Sequence, residues 1–396
     1  MIRRLCIVTG TRAEYGLLRG VLDGIRRAPD LQLQLIATGT HLSPEFGLTY
    51  REIEQDGFTI DERVEILMSS DTPVGVGKAM GLGLIGFADA FQRLQPDAVV
   101  LLGDRFEILS AAAAALVARI PIAHIHGGET TEGAFDEAIR HAVTKMAHLH
   151  FVAAAPYRDR VVQLGEAPGR VFLVGGLGVD AIRRADLLDR ASLEHSLNFA
   201  LGDRNLLVTF HPSTLDADPA ADQLQALFDA LDRLGPDTKL IFTLPNADVG
   251  GRELAAMVEA FVAERAHARA FTSLGQVRYL SCLAQVDGVV GNSSSGLTEA
   301  PSFRIGTVNI GTRQDGRLKA ASVIDCAARQ EAITGALAQL YAEDFRAILE
   351  TVENPYGNGG ASEAIVNVLR DQPLTDLMKK TFRDLPLQVV AGPGEI

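Results

Sequence analysis

The chain has 396 residues, and its 47% hydrophobic and 22% charged residues are typical of a globular protein rather than a disordered one. A single hydrophobic core seldom grows to this length, so two domains are expected. The 37 basic and 50 acidic residues leave a net charge of −13 without a basic run, which argues against nucleic acid or an anionic membrane as the partner. A small phosphorylated ligand needs only a few local cations and is compatible with this charge.

The cysteines and the N-terminus bear on the cellular compartment. Cys6, Cys282 and Cys326 lie far apart and form no CxxC pair, so neither a structural disulfide nor a zinc site is expected. The N-terminal MIRRLCIVTG lacks the long apolar segment and the cleavage site of a signal peptide. No stretch of about 18 uncharged apolar residues predicts a membrane span. We therefore expect a cytoplasmic protein without a bound metal.

In the first half of the chain, short apolar runs alternate with helical patterns. The apolar runs are RLCIVTG, LQLQLIATG, DAVVLLGD, IPIAHIHGG, LHFVAAA and RVFLVGG. The helical patterns include YGLLRGVLDGIRRA, EILSAAAAALVAR and YRDRVVQLG. Continuous apolar strands that alternate with helices are typical of a parallel sheet covered on both faces. The first half is therefore predicted to form a doubly wound α/β lobe.

The second half repeats this alternation of apolar runs and helical patterns. Its predicted strands are NLLVTFHP, KLIFTLPN, RAFTSL, VDGVVGNSS and GTVNIG. Helical patterns in EAITGALAQLYAEDFRAIL and ASEAIVNVLRD close the chain, and we expect the tail LQVVAGPGEI to be loose. The segment 174–182 is a plausible hinge. We predict a first Rossmann-like lobe over 1–176, a second over 177–365, and a C-terminal helix and tail over 366–396 that return to the first lobe. Ligands are expected in the cleft between the lobes, at the carboxyl ends of the strands.

The first strand end, TGTRAEYG, places Arg12 just before a helix N-terminus, where an anion is favoured. The stretch is not GxGxxG, and no acidic residue follows the second strand as a ribose ligand would. A nicotinamide-dinucleotide cofactor is therefore not expected. A surface arginine near a helix cap is the alternative interpretation of Arg12.

The strand end LLGDRFE places Asp104 directly after an apolar run, with Arg105 and Glu107 beside it. Aspartate at such a position is commonly a helix N-cap, so capping is the alternative to proton chemistry. The two roles are compatible, because capping bonds would hold the carboxylate in place.

The stretch HIHGGETTEGAFDEAIRH, residues 124–141, contains many titratable groups at the junction between a predicted strand and a predicted helix. His124 and His126 alternate on the predicted strand and are expected to point the same way. With Glu129 they could form a metal site, but no third histidine or cysteine stands at ligand spacing. Metal binding is therefore disfavoured.

On the helix that follows, Asp136 and Arg140 are four residues apart, as are Glu137 and His141, so each pair shares a helix face. Two ordinary surface ion pairs, with the acids favourably placed at the helix start, are the alternative interpretation. The number of such groups at one junction favours acid–base chemistry.

In the second half, TFHP ends a strand at His211, and Pro212 leaves this histidine facing the loop. The later NSSSG begins with Asn292, Ser293 and Ser294 at a predicted helix N-terminus. Backbone N–H groups and hydroxyls there can cradle a phosphate, and simple capping by serine is the alternative.

Glu299 falls in the first turn of that helix, where it could contact a ribose hydroxyl. GTRQDGR then places Arg313 and Arg317 directly after the strand GTVNIG. Two arginines beside a candidate phosphate cradle strengthen the prediction of an anion site.

Taken together and in this order, TGTRAEYG, GDRFE, HIHGGE…FDEAIRH…TKMAHLHF, TFHP, GNSSSG and GTRQDGR resemble the hydrolysing UDP-N-acetylglucosamine 2-epimerases. These are bacterial enzymes of the sialic-acid pathway and the epimerase half of the animal bifunctional epimerase/kinase. The resemblance covers nearly the whole chain and implies two Rossmann-like lobes of the glycosyltransferase-B kind. It also implies a nucleotide-sugar substrate in the cleft and a homodimer or homotetramer.

The resemblance assigns roles to residues of this chain in two groups. The residues implied to hold the diphosphate, the ribose or their surroundings are Ser293, Ser294, Arg12, His211, Glu299, Arg313 and Asn292. The residues implied to carry or orient the proton chemistry are Asp104, Asp136, Glu137, Arg140, His126 and Glu129. Relatives commonly carry a catalytic glutamate where this chain has His126, so His126 or Glu129 takes over that role, or the substrate differs.

The implied reaction converts UDP-N-acetylglucosamine to N-acetylmannosamine and UDP by elimination to a glycal and hydration. The alternative is the same reaction on a 2,4-diacetamido-2,4,6-trideoxyglucose nucleotide, on the route to legionaminic acid. A glycosyltransferase does not need the acids of FDEAIRH. The motifs GDRFE and HIHGGE resemble the hydrolysing epimerases more than the non-hydrolysing ones. A non-catalytic nucleotide-sugar sensor would have lost the acids at the strand ends.

Overall fold

The computed structural model describes residues 2–68, 70, 72–131, 134–212, 218–245 and 250–386. The tail expected to be loose, 387–396, lies outside these residues. The described chain forms two parallel sheets, each packed between hydrophobic clusters on both faces. The predicted architecture of two doubly wound α/β lobes is confirmed.

The first sheet contains seven parallel strands. They are β1 (Arg3–Thr9), β2 (Leu31–Thr38), β3 (Glu62–Val64), β4 (Ala98–Leu102), β5 (Ile122–Ile125), β6 (Leu149–Val152) and β7 (Val171–Leu173). Their order in space is β3-β2-β1-β4-β5-β6-β7, and in this register Leu5 of β1 pairs with Leu33 of β2 and Ala98 of β4. The sequence analysis missed β3, an edge strand of three residues without an apolar run.

Helices cover both faces of this sheet. They are α1 (Arg12–Arg27), α2 (Tyr50–Gln55), α3 (Pro73–Leu94), α4 (Phe106–Val117), α5 (Asp136–Met146) and α6 (Ala155–Gln163). Successive side chains of a strand point to opposite faces. Leu5 and Ile7 of β1 therefore pack in the core beneath α1, and Cys6 and Val8 pack in the core beneath α3 and α4.

The second sheet contains six parallel strands. They are β8 (Arg204–Thr209), β9 (Thr238–Thr243), β10 (Ala268–Phe271), β11 (Gly288–Gly291), β12 (Gly306–Ile310) and β13 (Val323–Cys326). The helices from residue 177 onward are α7 (Leu177–Arg184), α8 (Arg190–Leu197), α9 (Ala220–Asp232), α10 (Gly251–Ala263), α11 (Gln276–Leu283), α12 (Ser295–Thr298), α13 (Gln330–Leu340), α14 (Glu343–Glu350) and α15 (Ala361–Asp371). The spatial order of the strands is β10-β9-β8-β11-β12-β13, and the analysis missed the edge strand β13.

Both sheets reverse their winding direction between two central strands, β1 and β4 in the first and β8 and β11 in the second. In open α/β sheets, ligands bind outside the carboxyl ends of the strands at such a switch point. The loops after these four strands begin at Gly10, Gly103, Phe210 and Asn292. They carry four of the six motifs singled out in the sequence, while HIHGGE follows β5 and GTRQDGR follows β12, the strands next to β4 and β11.

The last helices depart in part from the sequence-based expectation. The helical pattern of EAITGALAQLYAEDFRAIL forms two helices, α13 and α14, because the chain leaves the helix at Tyr341 and Ala342. α15 then packs on the first lobe, where Ile365 and Leu369 are buried in the same core as Leu18 and Leu22 of α1. The C-terminal helix thus ties the end of the chain to the lobe in which it began.

Among the described helices, α3 alone is long and apolar enough to cross a membrane, judged by length and composition. A core helix of a globular lobe meets the same criteria. One face of α3 buries Ala79, Phe87 and Phe91 against the first sheet, together with Gly75 and Gly83.

Candidate active site

The two histidines at the end of β5 do not point the same way, contrary to the expectation from their alternation. β5 ends at Ile125, and His126 has a φ of 65°, a left-handed conformation that takes it out of the strand. His124 stays in the core, where Nε2 donates to the carbonyl of Gly103 at 2.7 Å and burial lowers its pKa to about 3. His126 lines the cleft, with Nδ1 3.4 Å from Oε1 of Glu129, and burial lowers its pKa as well.

Arg140 lies at the centre of a buried network. Its side chain is 2% exposed, and it contacts the carboxylates of Asp104 and Glu137, the latter at 2.7 Å. It also donates to the carbonyl of Glu129 at 3.0 Å and to Oγ1 of Thr131 at 2.7 Å. A guanidinium holds its donors in a rigid fork and can therefore orient two carboxylates at once. An ordinary surface ion pair is the wrong description of Arg140.

The two acids that open α5 have different surroundings. Glu137 accepts from the backbone N–H of Thr131 at 2.5 Å, and its other oxygen lies 2.9 Å from Nε2 of His141. Glu137 is therefore committed to protein contacts, whereas Asp136 lines the same cavity as Asp104. Helix α5 starts at this point, so its N-terminal dipole also favours negative charge there.

Asp104 is not a helix N-cap. α4 begins at Phe106, and its N-cap is Arg105, so Asp104 stands one residue too early for the capping alternative. Its carboxylate instead contacts Arg140 and faces the cleft. The strand-to-helix connection thus presents Asp104 toward the cavity rather than toward the backbone of α4.

A pair of buried acids adjoins Asp104, and the sequence analysis gave it no role. Oε1 of Glu107 accepts from Nε of Arg105 at 2.8 Å, and Oε2 of Glu14 accepts from the backbone N–H of Gly10 at 2.8 Å. Burial and the charge of Glu107 raise the pKa of Glu14 to about 8. A Cβ at Gly10 would lie 2.6 Å from Oε1 of Glu107, so only glycine fits at this strand end.

In the second lobe, Asn292 joins two strand-end loops. Its Nδ2 donates to the carbonyl of His211 at 2.8 Å, and its Oδ1 accepts from the backbone N–H of His211 at 2.7 Å. Its own carbonyl accepts from Nη1 of Arg313 at 3.1 Å. Asn292 is almost fully buried and holds His211 and Arg313 in place.

The serine-rich turn lies at the N-terminus of the four-residue helix α12. Ser294 is its N-cap but makes no side-chain capping bond, so capping does not account for this hydroxyl. Ser293 and Ser294 both line the cleft. Glu299 follows α12 as its C-cap, rather than lying in a first turn, and it also faces the cleft.

Arg12 is the first residue of α1, so it stands inside the helix start and not before it. Its Nη2 lies 2.6 Å from Oε1 of Glu52, and its side chain is 21% exposed. Burial lowers the pKa of Arg12, and the charge of Glu52 acts in the opposite direction. The side chain lines the cleft beside the N-terminus of α1, where an anion is favoured.

Arg317 was expected beside the phosphate cradle, but the structure directs it across the cleft to the first lobe. Its Nη1 lies 3.4 Å from Oε2 of Glu129, and its Nε donates to the carbonyl of Thr130 at 2.9 Å. Burial alone would lower the pKa of Arg317, but the electrostatic effects of Glu129, Tyr356, Tyr157 and Glu137 together outweigh burial and raise the pKa. The contact joins the loop after β12 in the second lobe to the loop after β5 in the first lobe.

The cleft contains two adjoining cavities with a shared wall. One, of about 310 Å³, is lined mainly by the second lobe and includes Arg12, His211, Ser293, Ser294 and Glu299. The other, of about 200 Å³, includes Asp104, His126, Glu129, Asp136, Arg140, Ser294, Glu299 and Arg313. Ser294 and Glu299 border both cavities. Of the residues expected at the site, only Glu137 and Asn292 line neither cavity, and both hold neighbours that do.

The cleft can combine anion binding with acid–base chemistry. Its second-lobe side offers hydroxyls, histidine and arginine, which are ligands for a diphosphate. Its first-lobe side offers carboxylates and a neutral histidine. Within the residues that the structure describes, no cluster of His, Cys, Asp and Glu is arranged to hold a metal ion.

Comparison with known proteins identifies the family. A sequence model of the UDP-N-acetylglucosamine 2-epimerase family matches residues 23–370. A Campylobacter jejuni protein named GDP/UDP-N,N'-diacetylbacillosamine 2-epimerase (hydrolyzing) is 44% identical, over 82% of this chain and 84% of its own. A Legionella pneumophila protein named UDP-N,N'-diacetylbacillosamine 2-epimerase (hydrolyzing) is 35% identical, over 94% and 97%.

The fold agrees with this match. The crystal structure of UDP-GlcNAc 2-epimerase from Neisseria meningitidis bound to UDP-GlcNAc superposes with a TM-score of 0.79, covering 92% of this chain and 99% of that chain at 16% identity. The two lobes are thus those of a glycosyltransferase-B-like α/β protein. The chain belongs to the UDP-N-acetylglucosamine 2-epimerase family.

Proposed function

We propose that this chain is a hydrolysing nucleotide-sugar 2-epimerase. It would convert a nucleoside-diphosphate-linked 2-acetamido sugar of gluco configuration to the free manno sugar and the nucleoside diphosphate. One observation carries the proposal: anion ligands on one lobe face acid–base groups on the other across adjoining cavities. A diphosphate that leaves C1 and a proton that leaves the adjacent C2 from the opposite face of the ring need anion ligands and acid–base groups on two sides of one sugar.

The proposed reaction begins with an anti elimination. The C2 proton goes to a base, the C1–O bond breaks with its electron pair leaving on the diphosphate, and a C1=C2 glycal forms. Water then adds at C1, and a proton returns to C2 from the other face. The C2–H is weakly acidic, so departure of the diphosphate must run ahead of proton removal. Stabilising the leaving diphosphate is therefore the largest demand on the site.

The second-lobe residues and Arg12 would meet this demand. The hydroxyls of Ser293 and Ser294, with the N–H groups at the start of α12, would hold the diphosphate. Arg313, fixed through Asn292, and Arg12, at the start of α1, would supply positive charge. The ribose would lie toward Glu299.

The first-lobe acids would act on the two faces of the ring. Asp104 is held by Arg140 and faces the cavity. We favour Asp136 over Glu137 as a second acid–base group, since both oxygens of Glu137 are bound to protein groups. The pair His126 and Glu129 would replace the glutamate common in relatives: with its pKa lowered, His126 is neutral at pH 7 and Glu129 can orient it.

For the sugar, we place the 2,4-diacetamido-2,4,6-trideoxyglucose nucleotide ahead of UDP-N-acetylglucosamine, which reverses the order taken from the resemblance. The two relatives described above carry diacetylbacillosamine, which is that sugar, in their names. The replacement of the usual glutamate by His126 is consistent with a different sugar. The free product would supply nonulosonic acid synthesis of the legionaminic or sialic kind. We include a cytoplasmic location and a homo-oligomer in the proposal.

The test compares kcat/KM for four nucleotide sugars, the UDP- and GDP-linked forms of diacetylbacillosamine and N-acetylglucosamine, by release of the diphosphate. We expect at least about a tenfold preference for a diacetylbacillosamine nucleotide, the scale on which a pocket discriminates one substituent. An Asp104→Asn preparation made in parallel excludes a contaminating hydrolase. Equal or greater turnover of UDP-N-acetylglucosamine would restore the other substrate, and no turnover of any of the four would reject the enzyme.

A further inference from the structure

The motif GTRQDGR contains two arginines, and the proposed reaction uses only Arg313. Arg317 belongs to the second lobe but lines the cavity of about 200 Å³ that holds the first-lobe acids. Its side chain is 10% exposed, and the side chain of Glu129 that it contacts is 4% exposed. Desolvation of two buried charges offsets much of their attraction, so net stability is a weak reason for an ion pair at this place.

Three contacts hold the guanidinium of Arg317 against the loop after β5. Nη1 lies 3.4 Å from Oε2 of Glu129, Nε donates to the carbonyl of Thr130 at 2.9 Å, and Nη2 donates to Oγ1 of Thr131 at 3.2 Å. The same Oγ1 accepts from Nη2 of Arg140 at 2.7 Å. A guanidinium is rigid and planar, so these contacts fix its orientation against Glu129. Arg317 therefore extends, from the second lobe, the network that Arg140 forms in the first.

Glu129 in turn contacts His126. Its other oxygen, Oε1, lies 3.4 Å from Nδ1 of His126 and makes no hydrogen bond within the part of the chain that the structure describes. On the other side of the ring, Nε2 of His126 accepts from the backbone N–H of Leu177 at 3.4 Å. This arrangement assigns the proton to Nδ1, facing Glu129, and the lone pair of a general base to Nε2. A base that a further side chain orients in this way is a common catalytic arrangement.

The loop after β12 is held at both of its ends. At its start, Nη1 of Arg313 donates to the carbonyl of Asn292 at 3.1 Å, beside the serine-rich turn. At its end, the backbone N–H of Leu318 donates to the hydroxyl of Tyr157 in the first lobe at 3.0 Å. Two backbone hydrogen bonds of 2.8 and 3.3 Å close turns between these ends. A rigid loop therefore connects the groups proposed to hold the diphosphate with the acid–base side of the cleft.

Charge also connects Arg317 with His126. Burial lowers the pKa of His126, the carboxylate of Glu129 raises it, Arg317 lowers it and Glu299 raises it. Without Arg317, the two carboxylates would act on the imidazole without this opposing charge. The pKa of His126 would then rise, and less of the neutral base would be present at pH 7.

We propose that Arg317 is a positioning residue for the pair His126 and Glu129, and that the loop after β12 couples this pair to diphosphate binding through Arg313. This role rests on the proposed function, because it concerns the same reaction. The diphosphate and the C2 proton leave toward different lobes, so one rigid loop between the two sets of groups fixes their relative placement. A displacement of about 1 Å is enough to lower a rate about a hundredfold.

The test compares the full chain with Arg317→Met and Arg317→Lys, by calorimetry for the Kd of UDP and by diphosphate release for kcat and KM. Arg317→Met is expected to lower kcat about a hundredfold and to leave KM and the UDP Kd within about threefold of the wild type. Arg317→Lys keeps the charge without the fork and is expected to recover part of the kcat. The matched control is Lys319→Met, which removes a neighbouring cation that pairs with Asp325 at 2.8 Å outside both cavities and is expected to keep the wild-type kcat.

Two further measurements separate positioning from a general structural effect. In ¹⁵N-histidine NMR, with the His126 signals identified by their loss in His126→Gln, the pKa of His126 is expected to be higher in Arg317→Met than in the wild type. The acid limb of the kcat profile is expected to move to higher pH with it. Glu129→Gln combined with Arg317→Met is expected to be no slower than Glu129→Gln alone, because Arg317 acts through Glu129.

Three results overturn the proposal: a wild-type kcat in both Arg317 variants, a UDP Kd weakened about tenfold or more, or losses of kcat that add up in the double variant. If Arg317→Met does not fold, Arg317→Lys decides by the same measurements, since it keeps the buried charge. If the wild type releases diphosphate from no nucleotide sugar, the proposed function fails by itself. The titration of His126 then decides the role of Arg317, and an unchanged pKa in the variants rejects it.

Discussion

Removing the charge of Arg140 tests the buried network at the site most severely. Arg140→Met keeps the length of the side chain and deletes every donor. The carboxylates of Asp104 and Glu137 then lose the cation that lies between them, at side-chain exposures of only 22% and 23%. Charges left in a poorly solvated place without a partner are costly, because neither water nor protein compensates for them.

The size of the effect follows from burial. Breaking a buried ion pair from one side costs about 3–5 kcal/mol, a large part of the roughly 5–15 kcal/mol that stabilises a typical domain. A matched control is Arg93→Met. Arg93 also binds a carboxylate through two nitrogens, Glu62 at 2.6 and 2.9 Å, but its side chain is 57% exposed. Water screens an exposed pair, which therefore contributes little to stability, so Arg93→Met should lose far less stability than Arg140→Met.

The assays are urea unfolding for stability and diphosphate release for turnover. We expect Arg140→Met to lose stability as above, and kcat to fall at least about a hundredfold, because Asp104 is no longer held in place. Arg140→Lys restores the charge without the rigid fork and should recover part of the stability and little of the kcat. If Arg140→Met were as stable as Arg93→Met, or turned over normally, the network would not be what positions Asp104.

Three further predictions concern single residues. Asp104→Asn should lower kcat about 10²–10⁴-fold and leave the Kd for UDP unchanged in calorimetry, and a weakened UDP Kd would instead make Asp104 a binding residue. Ser294→Ala should reduce kcat/KM about tenfold or more through the lost contact to the diphosphate, and unchanged kinetics would remove Ser294 from the cradle. Because the pKa of Glu14 is raised to about 8, above its unfolded value, its contribution to stability is complete below about pH 4.5 and is lost as the pH rises through 8. Glu14→Gln should therefore gain stability over the wild type as the pH rises from about 5 to 8, by roughly 1 kcal/mol per pH unit in urea unfolding, and the gain should level off above pH 8. Parallel pH profiles would show that Glu14 is ionised in the folded protein.

Much of the fold follows from local sequence, because a strand buried on both faces reads as an apolar run. All the runs taken as strands lie in the two sheets, and the chemistry-bearing motifs fall at the strand ends beside the switch points. The edge strands of the two sheets could not be predicted from local sequence. β3 has only three residues, and β13 has just one buried residue, so neither carries a readable apolar pattern.

The site was predictable as a list of residues but not as a set of contacts. Alternation predicted His124 and His126 on one face, and a single left-handed residue at the strand end separated them. Spacing on a helix left a surface ion pair of Arg140 with Asp136 open as an alternative, because spacing cannot show that Asp104, 36 residues earlier in the chain, contacts the arginine. The contact of Arg317 with Glu129 joins the two lobes, and no periodicity within one lobe contains that information.

The central claim, elimination followed by hydration at C2, is tested most directly by one measurement. The purified protein is incubated in D2O with the UDP-linked sugar that it turns over fastest, and the products are followed by proton and phosphorus NMR. The account predicts free UDP and a manno-configured sugar that carries deuterium at C2. Free UDP with a gluco-configured sugar that keeps its C2 proton would mean simple hydrolysis at C1, and it would contradict the proton chemistry assigned to the first lobe.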